Sequence, residues 1–184
     1  MFEALSVSVE HVELPSLARR AVETFVLSRR VVEPERRADS SLLSRSSAWF
    51  VCIKTHGLEL RGCVGTIEPE HDSLAMEVVN NAIKAATRDP RFRPVSADEL
   101  SLLRYSVDVL GGLEPALLED LDPSVFGVVV MNDLGTRRGL LLPNIDGIST
   151  ASQQVGVAAR KAGISAHETV KLFRFRTRRF QESA

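Results

Sequence analysis

The sequence is poor in cysteine: Cys52 and Cys63 are the only two in 184 residues. That excludes the disulfide-dense scaffold of a small secreted domain. A chain of this length buries about 70% of its unfolded surface without such staples. Aromatic residues are also scarce, at 5% with one Trp and one Tyr, and neither sign of charge dominates: 23 Lys plus Arg stand against 24 Asp plus Glu. Both facts argue against a nucleic-acid binder. No stretch approaches the ~18 apolar residues of a membrane span. Residues 1–10 carry Glu3 and Glu10 and no basic residue before an apolar run, so no secretory signal is expected. The expectation is a cytoplasmic protein with reduced thiols and no membrane partner. The common catalytic signatures are missing too: no P-loop, no Rossmann glycine fingerprint, no HExxH and no CxxC. His11, His56, His71 and His167 show no ligand spacing, and neither a metal nor a cofactor is expected. Gly147-Ile148-Ser149-Thr150-Ala151 imitates a nucleophile elbow but lacks its second glycine and is read as a helix cap.

What remains is an ordinary globular composition, 44% hydrophobic and 26% charged. Only four of the 23 basic residues are Lys and the other 19 are Arg, which reflects either genomic bias or a need for bidentate anion contacts. Periodicity predicts a helix over 17–29, a loop over 31–47 with a serine cluster at 40–47, and a hairpin of 49–54 with 58–66 around His56-Gly57. A two-residue turn would set Cys52 opposite Arg61 and make Cys63 a diagonal neighbour of Cys52, roughly 7 Å away or less. One hairpin face then carries Val51, Ile53, Leu58, Leu60 and Val64 as core; the other carries Phe50, Cys52, Lys54, Glu59, Arg61 and Cys63. Two thiols on one face also carry a risk of oxidation to a disulfide in vitro.

Further along, a helix is predicted over 73–88, capped by Asp72 or Ser73, with Leu74, Val78, Ala82 and Ala85 buried and Asn81 beside them. Ser96 with Glu99 forms a capping box for a short helix. Residues 105–110 alternate as a strand, and 126–131 with 137–142 form a second hairpin. Thr150 with Gln153 caps a helix ending at Gly163, and 170–180 is one closing strand. The irregular order of strands and helices predicts an α+β fold, a mixed or antiparallel sheet flanked by helices, in one domain over 1–184 that could include a smaller lobe.

Two runs stand out. In Arg61-Gly62-Cys63-Val64-Gly65-Thr66, glycines at 62 and 65 permit close approach of a ligand or of another backbone. Cys63 is either a thiol made reactive by Arg61 or a small buried hydrophobe. In Asp89-Pro90-Arg91-Phe92-Arg93-Pro94, a rigid loop presents Asp89 and Arg91 either as an anion-binding corner or as a structural turn in which they pair. Asp108 could act as a general base, orient an Arg, or sit on a solvated sheet face. Gln154 could touch a ligand or solvent. Arg174, Arg176, Arg178 and Arg179 form a basic stripe that either meets nucleic acid or blunts a sheet edge.

Taken in order, these runs resemble the AMMECR domain family. The similarity is carried by Leu60-Arg61-Gly62-Cys63-Val64-Gly65-Thr66, by Asp89-Pro90-Arg91-Phe92 with Pro94 and Glu99-Leu100, and by Val107-Asp108-Val109-Leu110. Gly139-Leu140-Leu141-Leu142-Pro143 and Lys161-Ala162-Gly163-Ile164 extend it over about residues 14–180. The stretch from Asp146-Gly147 through Gln153-Gln154 to Lys161-Ala162-Gly163 is most similar to the prokaryotic branch called AmmeMemoRadiSam system protein A. Val64 stands where Ile is commoner in the family. The resemblance implies a larger and a smaller lobe with a groove near the Cys motif. It also implies a shared pathway with a Memo-like protein and a radical SAM enzyme. Two functions follow as expectations. In the first, an enzyme acts on a small anionic metabolite, with Cys63 and Asp108 catalytic and Arg61, Gly62, Gly65, Asn81, Asp89 and Arg91 binding the substrate. In the second, the same surface is a non-catalytic binding module.

Overall fold

The hairpin at His56-Gly57 shows how the local sequence sets the architecture of the computed structural model, which describes residues 10–34, 49–67, 70–71 and 73–182. Strand β1 (Trp49–Thr55) and strand β2 (Leu60–Thr66) pair antiparallel. Their loop has three residues rather than the expected two. Leu58 takes φ +65°, its N–H donates to the Thr55 carbonyl, and the Thr55 N–H donates to the Glu59 carbonyl. The register moves by one residue there. It moves again at a bulge, because Lys54 faces Leu60 while Ile53 faces Gly62, leaving Arg61 as the extra residue. Two single shifts add to two, so the side-chain alternation is restored. Cys52 therefore opposes Cys63 directly and not Arg61. Val51 and Ile53 are buried as expected, whereas Leu58 and Leu60, expected in the core, are exposed.

The chain divides into two compact units, Met1–Val109 with Arg179–Ala184, and Leu110–Arg178. In the first, the sheet has order β2-β1-β3-β8, with β3 spanning Leu103–Leu110 and β8 spanning Thr177–Gln181. Its core face carries Trp49, Val51, Ile53, Tyr105 and Val107, which pack with helix α1 (Glu10–Ser28) and helix α2 (Leu74–Thr87). Helix α1 starts well before the expected Leu17 and contains Pro15. Ser73 caps α2 by accepting from the Met76 N–H, and the expected Ser96–Glu99 capping box is present on a 3₁₀ turn over Ala97–Leu102. Most of the loop expected over 31–47, its serine cluster included, lies outside the described residues, as does Asp72.

The second unit holds a sheet of order β4-β7-β5-β6: β4 is Glu114–Ala116, β5 Gly127–Asn132, β6 Arg138–Leu141 and β7 Val170–Phe175. All three of its pairings are antiparallel. Helix α3 (Ala151–Lys161) opens on the expected Thr150–Gln153 capping box and covers Val128, Val130 and Leu141. The strand expected over 170–180 is two strands. It breaks at Arg176, and its halves join different sheets. The four arginines therefore do not form one stripe. Arg174 pairs with Glu114, Arg174 and Arg176 both lie 4.6 Å from the Phe126 ring centre, and Arg179 serves the first sheet. No helix among the described residues is long and apolar enough to cross a membrane.

Candidate functional site

The two unusual runs meet at the β2 edge of the first sheet. The N–H of Cys63 points away from β1 and donates to Asp89 Oδ2 at 2.9 Å. Asp89 opens a turn in which the Phe92 N–H donates to its carbonyl, with Pro90 in the second position that its fixed φ favours. Asp89 Oδ1 accepts from the Arg91 N–H (3.1 Å) and from Arg91 Nε (2.9 Å); Oδ2 also accepts from Arg91 Nη2 (2.7 Å). The carboxylate, 3% exposed, has four donors and is fully satisfied. Arg91 is 54% exposed and is held rigid by a bidentate contact while its Nη1 is not used by Asp89.

Arg61, the bulge residue, is engaged in the same way. Its Nε and Nη2 donate to the two oxygens of Glu99 at 2.7 and 3.0 Å, and Nη1 has no hydrogen-bond partner among the described residues. The Phe92 ring is within cation–π range of both cations, 5.9 Å from Arg61 and 5.5 Å from Arg91. Hydrogen bonds from Arg91, against the opposing push of burial, hold the Asp89 carboxyl down at about 2. Arg61, again against burial and helped by Ser96, does the same for Glu99, also to about 2.

A pH prediction follows for Asp89. Its native value is depressed, so between pH ~4 and ~2 the unfolded chain holds a proton that the native chain lacks. Stability from this group is complete above that window and is lost as pH falls through it. Asp89→Asn should therefore cost about 1–2 kcal/mol near neutral pH, the half-exposed Arg91 discounting the full linkage value. Acid-titrated melting curves of variant and wild type should converge toward pH 2. Curves that stay parallel down to pH 2 would contradict the assignment.

The remaining candidates are placed as follows. Cys63 is joined to Cys52 across the hairpin, with 4.1 Å between their Cα atoms; the expected reduced thiol is not present. The short separation belongs to a non-hydrogen-bonded antiparallel pair, which is why the Cys63 N–H is free to reach Asp89. Gly62 gives close approach to another backbone: a Cβ there would lie 2.2 Å from the Ala85 carbonyl oxygen of α2. Gly65 makes room for the Phe50 ring and the Trp49 carbonyl, from which an added Cβ would lie 2.3 and 2.4 Å. Asn81 is buried on α2 and donates to the Trp49 carbonyl, fixing the start of β1. Asp108 is 1% exposed and accepts from Arg179 Nε and Nη2 at 2.8 and 3.0 Å, so of its three readings the Arg-orienting one describes its contacts. It lies opposite Phe50, on the sheet face that also carries Cys52 and Ser106. Gln154 is fully buried and donates to the Phe126 and Leu142 carbonyls, not to solvent.

Sequence reasoning missed Glu77. It is buried on α2, accepts from the Thr66 hydroxyl and the Glu70 N–H through Oε1, and leaves Oε2 without a partner among the described residues. Its spacing four residues before Asn81, alongside the apolar stripe, was the available signal. Arg19 was missed as well: it donates twice to Glu182 and once to the Leu103 carbonyl, tying α1 to the start of β3 and to the residue that follows β8. Among the described residues, no group of three or more His, Cys, Asp or Glu is arranged to hold a metal ion.

The architecture and this corner define an α+β protein with two antiparallel sheets. The chain belongs to the AMMECR1 family, whose model matches residues 15–181. It is similar to a protein of Thermotoga maritima, 43% identical over 167 residues that cover 89% of this chain and 94% of the relative. A Thermofilum pendens protein is 35% identical, covering 92% of this chain and 88% of its own length. A Clostridium acetobutylicum protein is 46% identical over 134 residues, 73% of this chain, and the match spans 28% of that longer relative. Among solved structures, the uncharacterized protein PH0010 from Pyrococcus horikoshii has the same fold. Its TM-score is 0.83 at 28% identity, covering 95% of this chain and 92% of that one.

Proposed function

We propose that the corner built from the Cys63 strand and the 89–94 loop recognises a small anionic metabolite. On this reading the chain is the binding subunit of a cytoplasmic system that includes a Memo-like protein and a radical SAM enzyme. The observation that carries the reading is Arg91: a half-exposed guanidinium whose orientation is fixed by a buried carboxylate. Such an arginine loses little further side-chain entropy when it takes up an anion. The exposed Arg88 and Arg93 flank it, so residues 88–93 hold three Arg against one Asp, a local charge of +2. The binding reading is favoured over the enzymatic one because the groups that catalysis would use are engaged. Cys63 is in a disulfide, and both Asp108 oxygens are occupied by Arg179.

The test is a thermal-shift panel of phosphate-, sulfate- and carboxylate-bearing metabolites on wild type, Arg91→Ala and Cys63→Ser. Arg91→Ala should weaken the best binder by about tenfold or more, as loss of a charge-assisted hydrogen bond implies, and Cys63→Ser should leave it unchanged. An Arg91→Ala protein that binds as well as wild type would overturn the reading. Loss of pathway function in a Cys63→Ser protein that still binds would favour a catalytic thiol instead.

A further inference from the structure

The Cys52–Cys63 pair has no part in the anion-binding reading, yet it sits where a covalent change would be felt. β2 is an edge strand, paired with β1 alone among the described strands and interrupted by the Arg61 bulge. Edge segments with few backbone partners are the first to open. The disulfide crosses this pair at its middle, between residues 11 apart in sequence. The amide of Cys63 is one of the four donors that fix Asp89, which in turn fixes Arg91. The two sulfur positions are not equivalent: Cys52 is 7% exposed on the central strand β1, whereas Cys63, on the edge, is only partly buried.

We propose that Cys52 and Cys63 are a reversible dithiol–disulfide site, reduced by a dithiol that enters at Cys63 and reoxidised by a peroxide. In reduction, a thiolate of the dithiol attacks Cys63 Sγ. The Cys52–Cys63 bond breaks, Cys52 leaves as a thiolate and takes a proton. The second thiol of the reductant then attacks the mixed disulfide, releasing Cys63 as a thiol and the reductant as its own disulfide. In oxidation, the Cys63 thiolate attacks a peroxide oxygen, giving a sulfenic acid and one water (an alcohol from an alkyl peroxide). Cys52 then displaces the sulfenic oxygen, which departs as water, and the S–S bond reforms. Reduction makes the β2 edge open more often, while the native contact of the Cys63 amide with Asp89 is kept and the sheet of the second unit is unaffected.

The experiment uses the whole 184-residue chain in its native state and does not depend on any ligand. Dithiothreitol treatment followed by iodoacetamide should label both cysteines without denaturant, whereas reduced protein treated with hydrogen peroxide before iodoacetamide should stay unlabelled. Amide exchange of residues 60–66 should quicken about tenfold or more on reduction, with 127–132 unchanged. Cys52→Ser should react with Ellman's reagent about tenfold or more faster than Cys63→Ser, because exchange rates follow access to the sulfur. Labelling only after unfolding, failure of peroxide to rejoin the thiols, or identical exchange in both states would overturn the proposal. Equal or reversed rates in the two single variants would overturn entry at Cys63. None of these outcomes bears on whether Arg91 holds an anion, so the two proposals fail separately.

Discussion

Gly62→Ala should lower the melting temperature by roughly 10 °C, the equivalent of about 3 kcal/mol for a chain of this size. The added Cβ would lie 2.2 Å from the Ala85 carbonyl oxygen and 3.1 Å from its carbonyl carbon. Both obstacles are backbone in the last turn of α2, so no side-chain rotation relieves them. The strand or the helix has to move, and Val78, Ala82 and Ala85, which share that core, move with it. Gly139 stands in the same relation to α3, since a Cβ there would lie 2.0 Å from the Ala158 carbonyl oxygen, so each unit seats a helix on a strand glycine. The control is Gly156→Ala. A Cβ there meets only the Arg160 guanidinium, at 3.6 Å, and alanine in a helix interior should raise stability by about 1 kcal/mol. Differential scanning calorimetry of the two variants should show shifts of opposite sign. A Gly62→Ala protein that melts with wild type would mean that α2 does not sit on β2 as described.

The second large effect is expected for Arg179→Ala, which should destabilise by about 3 kcal/mol in urea unfolding, because it leaves a buried carboxylate without its cation. Asp108 is 1% exposed and has both oxygens on Arg179, whose own side chain is 44% exposed. That exposure and the screening it allows place the cost at the lower end of the range for buried pairs. Asp108→Asn should cost less, about 1 kcal/mol, since a neutral amide in the same place leaves no unpaired charge. The ordering, Arg179→Ala worse than Asp108→Asn, is the signature of a structural ion pair. Arg179→Ala within about 0.5 kcal/mol of wild type would return Asp108 to the pool of free carboxylates.

Elements whose signals are local were legible in the sequence. The Ser96–Glu99 and Thr150–Gln153 capping boxes, the Ser73 cap and the apolar stripe of α2 all depend on spacing within a few residues, and they stand as read. Beyond the bulge the hairpin faces were legible for a different reason: two single-residue register shifts add to two, so Cys52 and Cys63 share a face although the pairing differs by two, while Leu58 and Leu60, before the second shift, were misplaced. What was not legible depends on contacts distant in sequence. Nothing near Arg61 announces Glu99, 38 residues on, and nothing near Asp108 announces Arg179, 71 residues on. The closing strand read as one because its alternation continues through Arg176, where the chain passes to a different sheet. The candidate corner was half legible. The runs at 61–66 and 89–94 were visible, and a glycine between strands does mark close approach, but the sequence could not say that the partner at Gly62 is the protein's own helix.

The central claim is that Arg91, fixed by Asp89, is an anion receptor. It is tested most directly by a crystal structure of the protein soaked with whichever small anion of the thermal-shift panel stabilises it most. The expected result is that anion in hydrogen-bond contact with the Arg91 guanidinium while both Asp89 oxygens keep their present donors. An anion bound elsewhere on the chain, with the Arg91 guanidinium untouched, would contradict it.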